Sequence, residues 1–352
     1  MPEADPTRVA VFFGAGASCF GNFPTVDSFF KSVDWPPGSG FEAACQELAR
    51  IIANNEGTKE NVAWPAFNAE KILGWLETLE KAGRISEVPR IRVPRTEGQG
   101  PLVGDLISHL RGEIVRVYGR RTETRDIVTT AHVELFKFLD AITPPREPLH
   151  VFTTNYDTVL EQLFENWSDS DRVFKQKLNL CTGFPSGRRA RWEPKLFAAS
   201  PEDGERLVRL VKLHGSVTWK KDGTNPPVET GWSGPTPHDC LLYFGYKSIP
   251  EEEPFIALHN ILKNVLLESE AVIAVGFRFA DPYIREVFDF ALRAKKRLRI
   301  ICSLTRQPPP ESPLSKMMTE HQGRVDLLKD SSGDPLPFGD DRFSKTLEQI
   351  LT

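Results

Sequence analysis

The 352 residues are 40 % hydrophobic and 26 % charged, a balance that supports a sizeable core and excludes a disordered or fibrous chain. The formal net charge of −4 gives no overall positive field to draw the chain to nucleic acid or to a membrane, so direct nucleic-acid binding is not expected. No apolar run reaches the ~20 residues of a membrane span, and Met1 to Pro6 lack the basic and apolar stretches of a secretory leader, so a cytoplasmic location is expected.

The elements follow in chain order. Arg8–Phe13 is a β-rich run closed by glycines and reads as the first strand. Apolar residues at helical spacing then predict helices over Phe41–Ala53, Asn68–Lys81, Leu102–Tyr118 and Ala131–Ile142; in the second, Ile72, Leu73, Leu76 and Leu79 form the stripe. Val88–Pro101 holds three prolines and two glycines and reads as a loop. Residues 26–145 are therefore expected to be a mostly helical insertion or subdomain within one domain spanning 1–352.

Leu149–Thr153 is the second expected strand, followed by a helix over Thr158–Trp167 and a polar, turn-rich stretch over Asp169–Gly204. Arg206–Leu213 alternates apolar and basic residues and reaches His214 at a strand end. Trp219–Asp239 shows no periodicity and reads as a long loop, of a length that in compact domains is usually functional or disordered. Leu241–Tyr246, Ala271–Val275, Leu298–Cys302 and Val325–Leu328 are read as strands, and Pro254–Glu268, Pro282–Ala294 and Phe343–Leu351 as helices. Pro308-Pro309-Pro310 breaks the chain between the last strands, and no internal repeat is present. Strands alternating with helices predict an α/β fold built on a doubly wound, parallel, Rossmann-like sheet, which binds ligands beyond the carboxyl ends of its strands.

Four motifs close such strands. Gly14-Ala15-Gly16-Ala17-Ser18 places glycines where a backbone can approach a pyrophosphate and a helix start can offer amides. Cys19 stands where a third glycine would complete a dinucleotide fingerprint, and a tight strand–turn–helix junction explains the same residues. Asn155 and Asp157, in Thr153-Thr154-Asn155-Tyr156-Asp157, suit a ribose hydroxyl or a water, or equally the capping of the next helix. His214, in Lys212-Leu213-His214-Gly215-Ser216, suits a general base or a hydrogen-bonded structural histidine. Gly276-Phe277-Arg278-Phe279-Ala280-Asp281-Pro282 offers room at Gly276 and a helix cap at Asp281, with proline at the first helical position. The basic clusters Arg111–Arg125 and Arg188–Arg191 read as solvated faces.

The cysteines Cys19, Cys45, Cys181, Cys240 and Cys302 are odd in number and form no C-x-x-C pair, so neither a zinc ribbon nor any other metal site is expected and the thiols should be free.

In this order, from Val9 to about Ala294, the four motifs resemble the sirtuin-like NAD-hydrolase domain of bacterial anti-phage defence proteins. Leu241–Lys247 and Pro254-Phe255 fit the segment between the third and fourth. The resemblance implies that NAD is the substrate. Gly14, Ala15, Gly16 and Ser18 would line its phosphates, and Asn155 and His214 would flank the nicotinamide ribose as the catalytic pair. Asp157 would hold the carboxamide, with Gly276 and Asp281 toward the adenosine half. It implies a homo-oligomer, with a HerA-type ATPase or an Argonaute-type protein as partner.

Two departures carry information. The absent zinc ribbon removes an element that shapes the acyl-lysine groove of sirtuin deacylases, and Arg278 stands where relatives often carry serine. The expected activity is therefore an NAD glycohydrolase that cleaves the nicotinamide–ribose bond through an oxocarbenium-like state. Asn155 orients the ribose or the water, and His214 is the general base. In the cell it would deplete NAD during phage infection. The competing readings are an NAD-dependent protein deacylase and a non-catalytic module that senses NAD or ADP-ribose.

Overall fold

A computed structural model describes residues 8–18, 23–55, 64–85, 91–94, 99–119, 125–144, 146–167, 173–187, 189–223, 225–230, 240–244 and 250–351. Its strands are β1 (Val9–Phe13), β2 (Leu149–Thr153), β3 (Lys177–Cys181), β4 (Ala190–Arg191), β5 (Glu205–Lys212), β6 (Gly215–Asp222), β7 (Asn225–Glu229), β8 (Cys240–Leu242), β9 (Ala271–Val275), β10 (Arg299–Ser303) and β11 (Val325–Leu327). Its helices are α1 (Ala15–Ser18), α2 (Phe41–Asn55), α3 (Ala69–Ile85), α4 (Val103–Tyr118), α5 (Arg125–Ile142), α6 (Val159–Trp167), α7 (Phe255–Glu268), α8 (Pro282–Ala294), α9 (Pro313–Glu320) and α10 (Phe343–Leu351).

β1 and β9 are apolar at every position and buried throughout, as strands covered on both faces must be. They pair in parallel at the centre of a seven-stranded sheet of order β11-β10-β9-β1-β2-β5-β3, every neighbour parallel. Alternate residues of β1 serve opposite cores. Val9, Val11 and Phe13 face a core shared with α2 to α5 and α10, whereas Ala10 and Phe12 face one shared with α7, α8 and α9. The rings of Phe13 and Phe136 on α5 lie 6.3 Å apart, and those of Phe12 and Phe288 on α8 lie 5.5 Å apart. The doubly wound, parallel α/β architecture expected from the sequence is present. From β1 the chain moves to β2 on one side, and from β9 to β10 on the other. Strand order therefore reverses between β1 and β9, which opens a crevice at their carboxyl ends.

Helices α2 to α5 all lie between β1 and β2, and α5 covers the sheet as part of that crossover. No helix among the described residues is long and apolar enough to cross a membrane.

Several boundaries differ from expectation. The stretch read as turn-rich contains β3 and β4, and the stretch read as a long loop contains the end of β6 and all of β7; residues 231–239 lie outside those described. β6 ends at Asp222, which pairs with Asn225 at the start of β7, and Gly223, at φ +61°, lies in the turn between them, a signal that the neighbouring Pro226-Pro227 obscures. These strands form a second, antiparallel sheet of order β4-β7-β6-β8. Of the expected strand over 241–246 only Leu241 and Leu242 belong to β8, which begins one residue earlier at Cys240, and residues 245 and 246 lie outside those described. α9 was unforeseen, although Ser312 caps it and Pro313 opens it. Of the cysteines, Cys45, Cys181, Cys240 and Cys302 are free and buried, and Cys19 lies outside the described residues.

Candidate active site

The carboxyl ends of β1, β2, β5, β9 and β10 converge on a cavity of about 380 Å³. Ala15, Gly16, Ser18, Asn155, Asp157 and His214 line it, together with Gly276 and Asp281. Gly14 is not among the lining residues. It belongs instead to a close crossing of two loops. The Gly14 amide donates to Val275 O at 2.9 Å and the Gly16 amide to Gly276 O at 3.1 Å. A Cβ on Gly14 would stand 2.6 Å from Gly276 O, and one on Gly276, whose φ is +62°, would stand 2.5 Å from Ala17 N. The glycines of the first and fourth motifs are thus required by each other, backbone against backbone, before any ligand arrives.

Asn155 ties the second motif to the first. Its Nδ2 donates to Gly14 O at 3.0 Å and to Ser18 Oγ at 2.8 Å, which leaves the carbonyl Oδ1 as the acceptor it can offer a ligand. Asp157 caps α6: its Oδ1 accepts the Val159 amide at 3.0 Å. Beneath this loop the buried Lys212 donates to the Asp157 carbonyl and, at 2.7 Å, to Glu161.

His214 is 2 % exposed and lies between two carboxylates. Nε2 is 3.0 Å from Asp281 Oδ2, and Nδ1 is 3.4 Å from Glu70 Oε1, an ion-pair distance without hydrogen-bond alignment. Burial by itself would push the imidazole pKa down. Glu70 and Asp281 outweigh burial and raise it to about 9, so the ring is an imidazolium at neutral pH. Asp281 is occupied at both oxygens, because Oδ1 accepts the Ile284 amide at 2.8 Å and caps α8. It therefore sits on His214 as well as opening the helix. The loop that carries it is strained: Phe279, fully buried, has φ +57°.

Charge is distributed unevenly around the cavity. Glu70 and Asp281 gather at His214, whereas Arg278 and Arg306 stand just past the ends of β9 and β10, both exposed. Burial pushes the Asp27 carboxyl up, against the opposing charge of Arg278. Glu70 and Tyr156 are site residues that the sequence reading missed. Tyr156 stood inside a motif, and its hydroxyl donates to Glu70 Oε1 at 2.7 Å. Glu70 carried no signal beyond an acid in the first turn of an amphipathic helix.

A family model described as a SIR2-like domain matches residues 149–323. Those residues are a SIR2-like domain. Three of the four motifs fall inside it; Ala15, Gly16, Ser18 and Glu70 line the cavity from outside the matched range. No curated protein matches the chain. Among solved structures, the chain is similar to a mutant Sir2 homologue in complex with 2′-O-acetyl ADP ribose, at 10 % identity over 97 % of this chain and 91 % of that one, with a TM-score of 0.42. It is similar also to a Sir2 homologue–NAD complex, at 12 % identity over 98 % and 90 %, with a TM-score of 0.39.

Proposed function

We propose that this chain hydrolyses NAD at the bond between nicotinamide and ribose, releasing nicotinamide and ADP-ribose. The observation that supports this most is the meeting of Asn155, Asp157, His214 and the Gly276 loop in one cavity, at the reversal of strand order in a SIR2-like domain. The nicotinamide ribose lies over the ends of β2 and β5, with the adenosine half toward β9 and β10. Asn155 Oδ1 accepts from the ribose or from the attacking water, and the carboxylates at His214 face the positive charge that grows on the ribose as the pyridine leaves. Arg278 and Arg306 are placed to meet phosphate.

The test is nicotinamide release from NAD by the full chain with no peptide present, beside His214→Ala. Release by the parent chain that falls by ~10²-fold or more in the variant is the expected result. Release only when an acyl-lysine peptide is added would replace hydrolysis by deacylation, and tight NAD binding without turnover would leave a sensing module. In the cell this proposal makes the chain a cytoplasmic, homo-oligomeric effector that drains NAD during phage infection, with a HerA-type ATPase or an Argonaute-type protein as its partner. Co-purification with such a partner tests that role separately.

A further inference from the structure

Helix α3 delivers a carboxylate that neither the motifs nor the 149–323 match contains. Asn68 Oδ1 accepts the Glu70 and Lys71 amides at 2.9 and 3.2 Å and so fixes the first turn of α3. From there the Glu70 side chain, 17 % exposed, lines the cavity. The Tyr156 hydroxyl orients its Oε1 at 2.7 Å, and His214 Nδ1 holds the same atom at 3.4 Å. Both ring nitrogens of His214 face carboxylates, and both oxygens of Asp281 are engaged. Within this trio only Glu70 retains an oxygen, Oε2, with no partner among the described residues.

We infer that Glu70, rather than His214, takes the proton of the attacking water in the hydrolysis proposed above, while His214, set between Glu70 and Asp281, holds both carboxylates in place. The inference rests on that hydrolase reading. In the step, the water oxygen bonds to C1′. The C1′–N bond breaks and its electron pair passes to the ring nitrogen, which makes nicotinamide neutral. One water proton moves to Glu70, which returns it to solvent as ADP-ribose leaves. Before proton transfer, the same carboxylate is the negative charge facing the oxocarbenium-like ribose.

The surroundings agree. His214 is raised to about 9 against the cost of burial, and its other ring neighbours are uncharged at neutral pH. Burial pushes the Tyr156 and Tyr243 hydroxyls up and the His259 imidazole down to about 4. Asp27 is a further carboxylate within electrostatic reach of Glu70, and Arg278 and Lys71 face Asp27.

The experiment follows kcat from pH 7 to pH 9 for the full chain, Glu70→Gln and Glu70→Asp, with His214 protonation read by nitrogen NMR of histidine-labelled protein and ADP-ribose binding as the check on folding. A base with a pKa near 9 is only about 1 % free at pH 7 and about half free at pH 9, so catalysis by His214 demands a rise of about 50-fold over this range. The inference expects a rise below about threefold, a loss of ~10²–10⁴-fold in kcat for Glu70→Gln with ADP-ribose still bound, and partial rescue by Glu70→Asp. It is overturned by the rise of about 50-fold, by Glu70→Gln retaining kcat within about threefold, or by a neutral His214 ring at pH 7. A parent chain that binds NAD and never turns it over defeats the hydrolase reading itself, and this inference falls with it.

Discussion

The loop crossing at the sheet centre can be tested by three glycine-to-alanine changes that separate its two demands. Gly38 has φ +73° and open space where a Cβ would go, so Gly38→Ala carries only the left-handed backbone cost of ~1–2 kcal/mol. Gly14 has an ordinary φ, but its Cβ would meet Gly276 O at 2.6 Å and Phe277 Cα at 2.7 Å. Neither atom can yield as the tip of a side chain does, so Gly14→Ala carries an overpacking cost of ~1–3 kcal/mol. Gly276 combines φ +62° with contacts of 2.5 Å to Ala17 N and 2.6 Å to Gly16 Cα. Gly276→Ala should therefore cost ~2–5 kcal/mol, the sum of the two effects. Urea midpoints of the full chain measure all three, provided the slopes are unchanged. ADP-ribose affinity should fall for Gly14→Ala and Gly276→Ala but not for Gly38→Ala, because only the first two part the loops at the cavity. A Gly276→Ala protein no less stable than Gly38→Ala would refute the crossing as the reason for these glycines.

Two further outcomes follow from buried charge. Lys212 and Glu161 pair at 2.7 Å with side chains 1 % and 11 % exposed, so Lys212→Met should cost ~3–5 kcal/mol by leaving Glu161 buried and unpaired. Lys212→Met combined with Glu161→Leu should recover most of that loss, and equal losses in the two proteins would show that the pair is not what matters. In the second case, the folded pKa of His214, about 9, lies above the 6.5 of a free imidazole. Its ion pairs therefore stabilise fully below pH 6.5 and are lost as pH rises through 9, a slope approaching ~1.4 kcal/mol per pH unit between the two values. His150 and His259 have the opposite sign. Burial pushes them down to about 3 and about 4, so stability also falls as pH drops below 6.5. Unfolding measured across pH should show His214→Gln losing the alkaline slope and keeping the acid one; an unchanged alkaline slope would contradict the pairing.

The parallel sheet was legible because its central strands are apolar at every position, which leaves little alternative to burial on both faces. β3 was not, since Lys177 and Asn179 at the sheet edge dilute the pattern, nor was β7, where adjacent prolines argue against any strand. β4 lends β7 only a short partner, and Pro227 contributes its carbonyl, which accepts the Trp192 amide at 2.8 Å. In the site, Asn155, Asp157 and His214 stood out as polar residues ending strands. What they do with their hydrogen bonds did not, because each partner comes from a distant segment. Glu70 illustrates the limit: one acid among many on amphipathic helices becomes a site residue only because α3 packs where it does.

Asn155 bears on how an inactive variant is to be read. Its amide spans the loops after β1 and β2, so alanine there deletes two clasps between neighbouring strand ends along with whatever Asn155 does for a substrate. Each lost clasp is worth ~0.5–1.5 kcal/mol, and both lie at the seam where the loop after β1 is anchored. A dead Asn155→Ala protein thus confounds chemistry with architecture. His214→Ala removes the cation between two carboxylates, and their mutual repulsion makes it a distinct lesion. Used as a pair, and scored for ligand affinity as well as turnover, the two variants separate a site that has lost its reactivity from one that has come apart.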